Sequence, residues 1–342
     1  MKLLNTAIDL TQDTLANPKP EEGSPSENDI RELLAVLQQN LGVEYLEQGQ
    51  LAETAKQFES ALQNMATVLT SIRSADGYDQ LDENQKDTLT AMKQISHDKS
   101  AVGLAYILMR QGETERSIEL YKTAIEGRRE IFDRRQSMLP LKVELAGYLG
   151  NYGQSLMWID DLAGAEPLLE ESLKLSAEIV DADPEKAAYK RSLTTAQYRL
   201  GSLRDMQGGR EGDALTLFES SRGMRAELNE ASGDQKNQIN LMLASARAGK
   251  TEEARTLIDE LGALEETNGE LHLERARALT QLSRHAAEGD RESLLDEAVT
   301  AIKRAVEEGY ADPFRVNAEP DLRPLREREE FQQILSGMKK VD

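Results

Sequence analysis

The chain has 342 residues, no cysteine, a formal charge of −21 and only 4% aromatic residues. The missing cysteine excludes disulfides, thiolate metal sites and cysteine nucleophiles. So acidic a surface makes nucleic acid and anionic membrane surfaces poor partners. The longest apolar run, Ala101–Met109, is half of the roughly 18–20 residues that span a bilayer, and reads as a buried helix.

Ala, Leu and Glu recur along the whole chain, a mixture that favours helices, while few windows are rich enough in β-branched and aromatic residues for strands. Residues 1–16 carry one Lys, two Asp and no apolar run of a signal peptide, so a short helix is expected there. Asn17–Ser26 (NPKPEEGSPS) reads as a flexible linker, and residues 1–28 as an N-terminal helix with that linker.

From Asp29 onward one pattern recurs six times. A small residue stands at Thr54, Ser117, Ala165, Ala214, Ala254 and Ala298. Four residues later comes a large one, at Phe58, Tyr121, Leu169, Phe218, Ile258 and Ile302. Three further on stand Ala61, Ala124, Ser172, Ser221, Leu261 and Ala305. This i, i+4, i+7 spacing marks one face of a helix whose small residues admit a close neighbour, so each segment reads as the second helix of a hairpin. The first helices carry Leu41-Gly42, Leu104-Ala105 and Leu200-Gly201, and tight turns follow at Gly49, Gly112, Gly208-Gly209 and Gly249. The repeat positions lie 63, 48, 49, 40 and 44 residues apart. Helices longer than those of a roughly 34-residue tetratricopeptide unit explain most of the excess. Residues 74–87 (SADGYDQLDENQKD) and 287–291 read as insertions. Gly309–Pro313 ends the last repeat helix, and 321–335 (DLRPLREREEFQQIL) reads as a turn with a short amphipathic helix. The expected architecture is all-α: a right-handed α-solenoid over 29–315 with a capping segment at 316–342.

The chain resembles a tetratricopeptide repeat protein over about residues 29–310, and 151–175 resembles the long repeats of the kinesin light chain type. More narrowly, 181–203 and GYADPFRVNAEPDLRPLREREEFQQIL at 309–335 are similar to the repeat-bearing C-terminal tails of planctomycete-type bacterial serine/threonine kinases. That resemblance implies the non-catalytic half of a signalling kinase, or a free-standing relative. The kinase glycine-rich loop, His-Arg-Asp loop and Asp-Phe-Gly are absent, so no activity is carried over. A cytoplasmic location is expected, or an extracytoplasmic one if the chain is the tail of a membrane-anchored kinase.

No constellation reads as catalytic, and no cofactor or metal is expected. His97, His272 and His285 lack partners at ligand spacing, and the acids at 76, 79, 82 and 83 miss the pattern of a calcium loop. Gly208-Gly209 follows no strand and is a turn, not a nucleotide cradle. In a tetratricopeptide solenoid the first helix of each pair lines the inner groove. Counting along those helices gives Gln154 and Trp158, Tyr198 and Arg199, and Lys236, Asn240 and Arg247 as candidate partner-binding residues. Trp, Tyr and Arg are the types that most often dominate binding energy, and the cations favour an acidic segment or a C-terminal carboxylate. The expected function is a protein-interaction scaffold that binds a protein or peptide in this groove. Pairing of two copies as an oligomerisation module, or an enzyme with an unrecognised site, are the alternatives.

Overall fold

Helix starts and stops follow from local chemistry. Ser26 and Asp29 form a reciprocal capping box that opens α2 (Glu27–Glu47). Asp82 and Gln85 do the same for α4 (Glu83–Gln111), which Gly112 ends in the left-handed region at φ 84°. The computed structural model describes residues 1–17, 24–135, 138–264 and 267–338, so most of the expected linker, residues 18–23, lies outside the described residues, as do the last four of the expected cap.

Every regular element among the described residues is a helix. After α1 (Lys2–Ala16), six hairpins follow in order. They are α2 with α3 (Leu51–Arg73), α4 with α5 (Thr114–Arg134) and α6 (Leu139–Trp158) with α7 (Leu162–Ala182). Then come α8 (Ala187–Gln207) with α9 (Glu211–Ser232), α10 (Gln235–Arg247) with α11 (Thr251–Gly262), and α12 (Gly269–Leu282) with α13 (Glu288–Glu307). A short α14 (Pro313–Ala318), a 3₁₀ turn (Pro320–Leu325) and α15 (Glu329–Gly337) complete the chain. The hairpins form two compact bodies, one ending at Leu141 and the other beginning at Lys142, each a stretch of α-solenoid.

The segments read as insertions are largely helical. Residues 74–87 hold a 3₁₀ turn at Tyr78–Gln80, and their end is the first turn of the 29-residue α4. Residues 288–291 are the first turn of α13.

All eighteen repeat-pattern residues are buried, none more than 5% exposed. Serine at these positions also ties the second helix to the first: Ser117, Ser172 and Ser221 donate to the carbonyls of Ala105, Ala146 and Thr194 at 2.6, 2.7 and 2.9 Å. A hydroxyl that bonds a neighbouring helix carbonyl satisfies itself inside the core.

The close approach has one clear consequence. A Cβ on Gly201 would lie 2.8 Å from the Phe218 ring, while one on Gly223, in α9, would meet nothing within 4 Å. Gly201→Val is therefore expected to lower the unfolding free energy by about 1–3 kcal/mol through overpacking. Gly223→Ala should raise it by up to about 1 kcal/mol through helix propensity. Urea denaturation of both variants measures the two signs.

Candidate partner-binding site

In the second body the chain's end turns back along the first helices of the hairpins. α15 packs on α13, while the 3₁₀ turn contacts α12 and α8. Its Asp321 is 1% exposed and is the hub of a buried network. Tyr198 Oη of α8 donates to Asp321 Oδ2 at 2.8 Å. Arg247 of α10 reaches Oδ1 through Nε at 2.6 Å and Nη2 at 2.5 Å. Arg277 of α12 reaches Oδ2 through Nε at 2.9 Å and Nη2 at 2.6 Å. Gln281 Nε2 bonds the Asp321 carbonyl at 2.6 Å. Arg277 also pairs with Glu274 at 2.6 Å and Glu319 at 3.0 Å, and Arg315 with Glu274 at 2.7 Å. Asp205 pairs with Arg247 at 2.7 Å and Arg284 at 2.6 Å.

Burial opposes ionisation of Asp321, but Arg247 and Arg277 outweigh it and hold the carboxyl down at about 2. For Glu274 burial prevails over Arg277 and Arg315, pushing it up to about 7. The same burial, with Asp321 beside it, raises the Tyr198 phenol.

Beside this network the first helices leave two adjoining cavities, of about 380 and 400 Å³. Gln154, Tyr198, Arg199, Lys236 and Asn240 line the first, where Glu270, Glu274 and Glu319 also stand. Arg199, Lys236 and Asn240 reach the second as well. Arg225, which lines both cavities, and Arg191 join them there, and no carboxylate lines the second. Arg199 donates to Asn151 Oδ1 at 3.1 Å, and Gly150 leaves room for it, since a Cβ there would sit 2.9 Å from Arg199 Nη1.

The other two candidates lie apart from the cavities. Trp158 is buried, edge-on to Phe314 at 6.2 Å. Arg247, 4% exposed, is committed to Asp205 and Asp321.

Sequence reasoning missed Asp321, Arg277 and Arg225. For Arg225 a signal existed. It extends the buried stripe of α9 by one turn, after Ala214, Phe218 and Ser221, and a charge in that register marks an unusual core position. Repeat two has Arg128 at the equivalent place, 0% exposed.

Among known proteins, a family model described as tetratricopeptide repeat matches residues 99–136, which span the end of α4 and all of α5. No curated protein matches the chain. Solved structures similar to it include a tetratricopeptide repeat protein from Parabacteroides merdae, at 12% identity over 88% of this chain and 97% of that one, with a TM-score of 0.38. The apo form of RapI matches at 14% identity over 89% and 92%, TM-score 0.49. The nuclear import adaptor Nro1 matches at 14% over 90% and 95%, TM-score 0.45.

Truncating Asp321 to Ala removes the carboxylate that Arg247 and Arg277 share and leaves them to Asp205 and to Glu274 with Glu319, so Asp321→Ala is expected to cost up to about 3–5 kcal/mol of stability in denaturant titration. Glu274 generates a second prediction. The unfolded chain releases its proton near 4.5 and the folded chain keeps it to about 7, so the folded state binds more protons between those values. Stability from this group is therefore present below about 4.5 and lost as pH rises through 7. Measured against wild type from pH 4.5 to 8, Glu274→Gln should gain in relative stability as pH rises, by up to about 3 kcal/mol at about 1.4 kcal/mol per unit.

Proposed function

We propose that this chain is a protein-interaction scaffold that holds a segment of a partner protein against α6, α8 and α10 of the second body. Tetratricopeptide repeats are typically interaction modules and not catalysts, which supports the class. One observation carries the site: the second cavity is lined by four cationic residues and no carboxylate, in a chain of net charge −21. A locally cationic surface within an acidic protein favours an anionic group and steers it there. Lys236 is exposed and forms no ion pair among the described residues, so its charge is available to a partner.

The resemblance of residues 309–335 to kinase tails supports a finer reading, in which the scaffold is the non-catalytic tail of a signalling kinase. A second reading, pairing of two copies, draws on the first body. Leu33, Val36 and Val43 on α2 are 53%, 46% and 43% exposed, and Leu89 and Met92 on α4 are 44% and 60% exposed. Exposed apolar groups of this kind favour association.

Affinity capture from a lysate of the native organism tests the scaffold. Lys236→Glu with Arg199→Glu is expected to lose a partner that wild type and the exposed control Lys303→Glu both retain. Equal retention by all three proteins would place binding on another face, and no partner from a chain that light scattering shows to be a dimer would favour self-pairing.

A further inference from the structure

The second cavity has a chemistry more specific than positive charge. Arg225 of α9 is 5% exposed and has no ion pair among the described residues. Its Nη1 donates to the Asn240 carbonyl at 2.7 Å and its Nη2 to the Thr194 carbonyl at 3.4 Å. Its guanidinium carbon lies 5.1 Å from the centre of the Tyr198 ring, and its Nε is buried with no hydrogen-bond partner. A buried guanidinium held only by neutral groups is unusual, because removing it from water is costly without a countercharge. Burial depresses its proton affinity, to about 10, although Asp321 and Glu274, which make no contact with it, act the other way. Arg191, Arg199 and Lys236 line the same cavity, and the Asn237 and Asn240 amides stand beside them.

We infer that this cavity is a site for a phosphoryl group carried on a side chain of the partner segment. The inference rests on the reading of this face as the partner-binding one. A phosphoryl group carries about −1.5 to −2 charges at neutral pH and three strong acceptor oxygens, where a carboxylate brings one charge and two. Four lining cations match the former better. A long acidic run fits poorly, because the adjoining cavity is lined by Glu270, Glu274 and Glu319. The two cavities together select a single compact dianion whose flanking residues, toward α12, are neutral or basic. Extended polyanions such as nucleic acid are also disfavoured by the net charge of −21.

Calorimetric titration of the full chain with inorganic phosphate, against acetate at matched ionic strength, tests the site without knowledge of the partner. Saturable binding of phosphate but not of acetate is expected, weakened at least tenfold by Lys236→Glu and by Arg191→Glu. Both positions are exposed, so the folded state, checked by circular dichroism, is retained; Arg225→Lys, which keeps the charge but loses the guanidinium fork, should weaken phosphate by less than the reversals do. Phosphoserine peptides should then displace phosphate where their serine counterparts do not. The inference is overturned by the absence of saturable phosphate binding, by equal binding of acetate, by charge reversals without effect, or by phosphoserine peptides that fail to compete. If phosphate does not bind but Lys236→Glu with Arg199→Glu still loses a captured partner, the phosphoryl site falls and the scaffold reading stands.

Discussion

Two guanidinium groups, of Arg247 and Arg277, lie inside the second body with a single carboxylate, Asp321, between them. Removing a partner from a buried ion pair is strongly destabilising. Asp205 also pairs with Arg247, and Glu274 and Glu319 with Arg277, but Asp321, delivered by the 3₁₀ turn, is the carboxylate that joins the two. The bonds reach far along the chain: Tyr198 is 123 residues from Asp321, Arg247 is 74 and Arg277 is 44. Stacked hairpins otherwise touch only their neighbours, which makes repeat arrays locally cooperative. Here one short segment joins α8, α10 and α12 directly, and Arg323 extends it to Asp160, beyond the end of α6, at 3.2 Å. The last three hairpins therefore act as a unit.

That coupling sets the geometry of the proposed binding face. Serine hydroxyls and glycine contacts hold α7 to α6 and α9 to α8, and the Asp321 network holds α8, α10 and α12 to one another. Between them stand side chains with no such commitment. Gln154, Lys236 and Asn240 make no side-chain hydrogen bond among the described residues. A rigid frame around free polar groups is the arrangement that binds with little ordering cost.

The fold was legible because packing between adjacent helices is a local constraint with a period. Thr54, Phe58 and Ala61 and their five counterparts are buried for the reason their spacing suggests. The turn of the third hairpin was not legible, since it lacks glycine and Asp160 takes the left-handed conformation instead, at φ 60°. The tertiary pairing of Asp321 was hidden too. Nothing periodic links position 321 to 198, 247 and 277, so a segment readable as a cap gave no hint that it lies along the first helices. Arg247 was expected to face the groove, but it is buried, and its engagement by Asp205 and Asp321 depends on where the C-terminal 3₁₀ turn lies, which local sequence does not encode.

Position-specific photo-crosslinking in the native organism tests the central claim most directly. A crosslinking side chain would replace Gln154 or Asn240 at the cavities, and Lys303 on the exposed face of α13 as the reference. The account predicts one common protein adduct from the two cavity positions and none from Lys303. Adducts from Lys303 alone, or cavity positions that capture nothing while the partner still co-purifies, would contradict it.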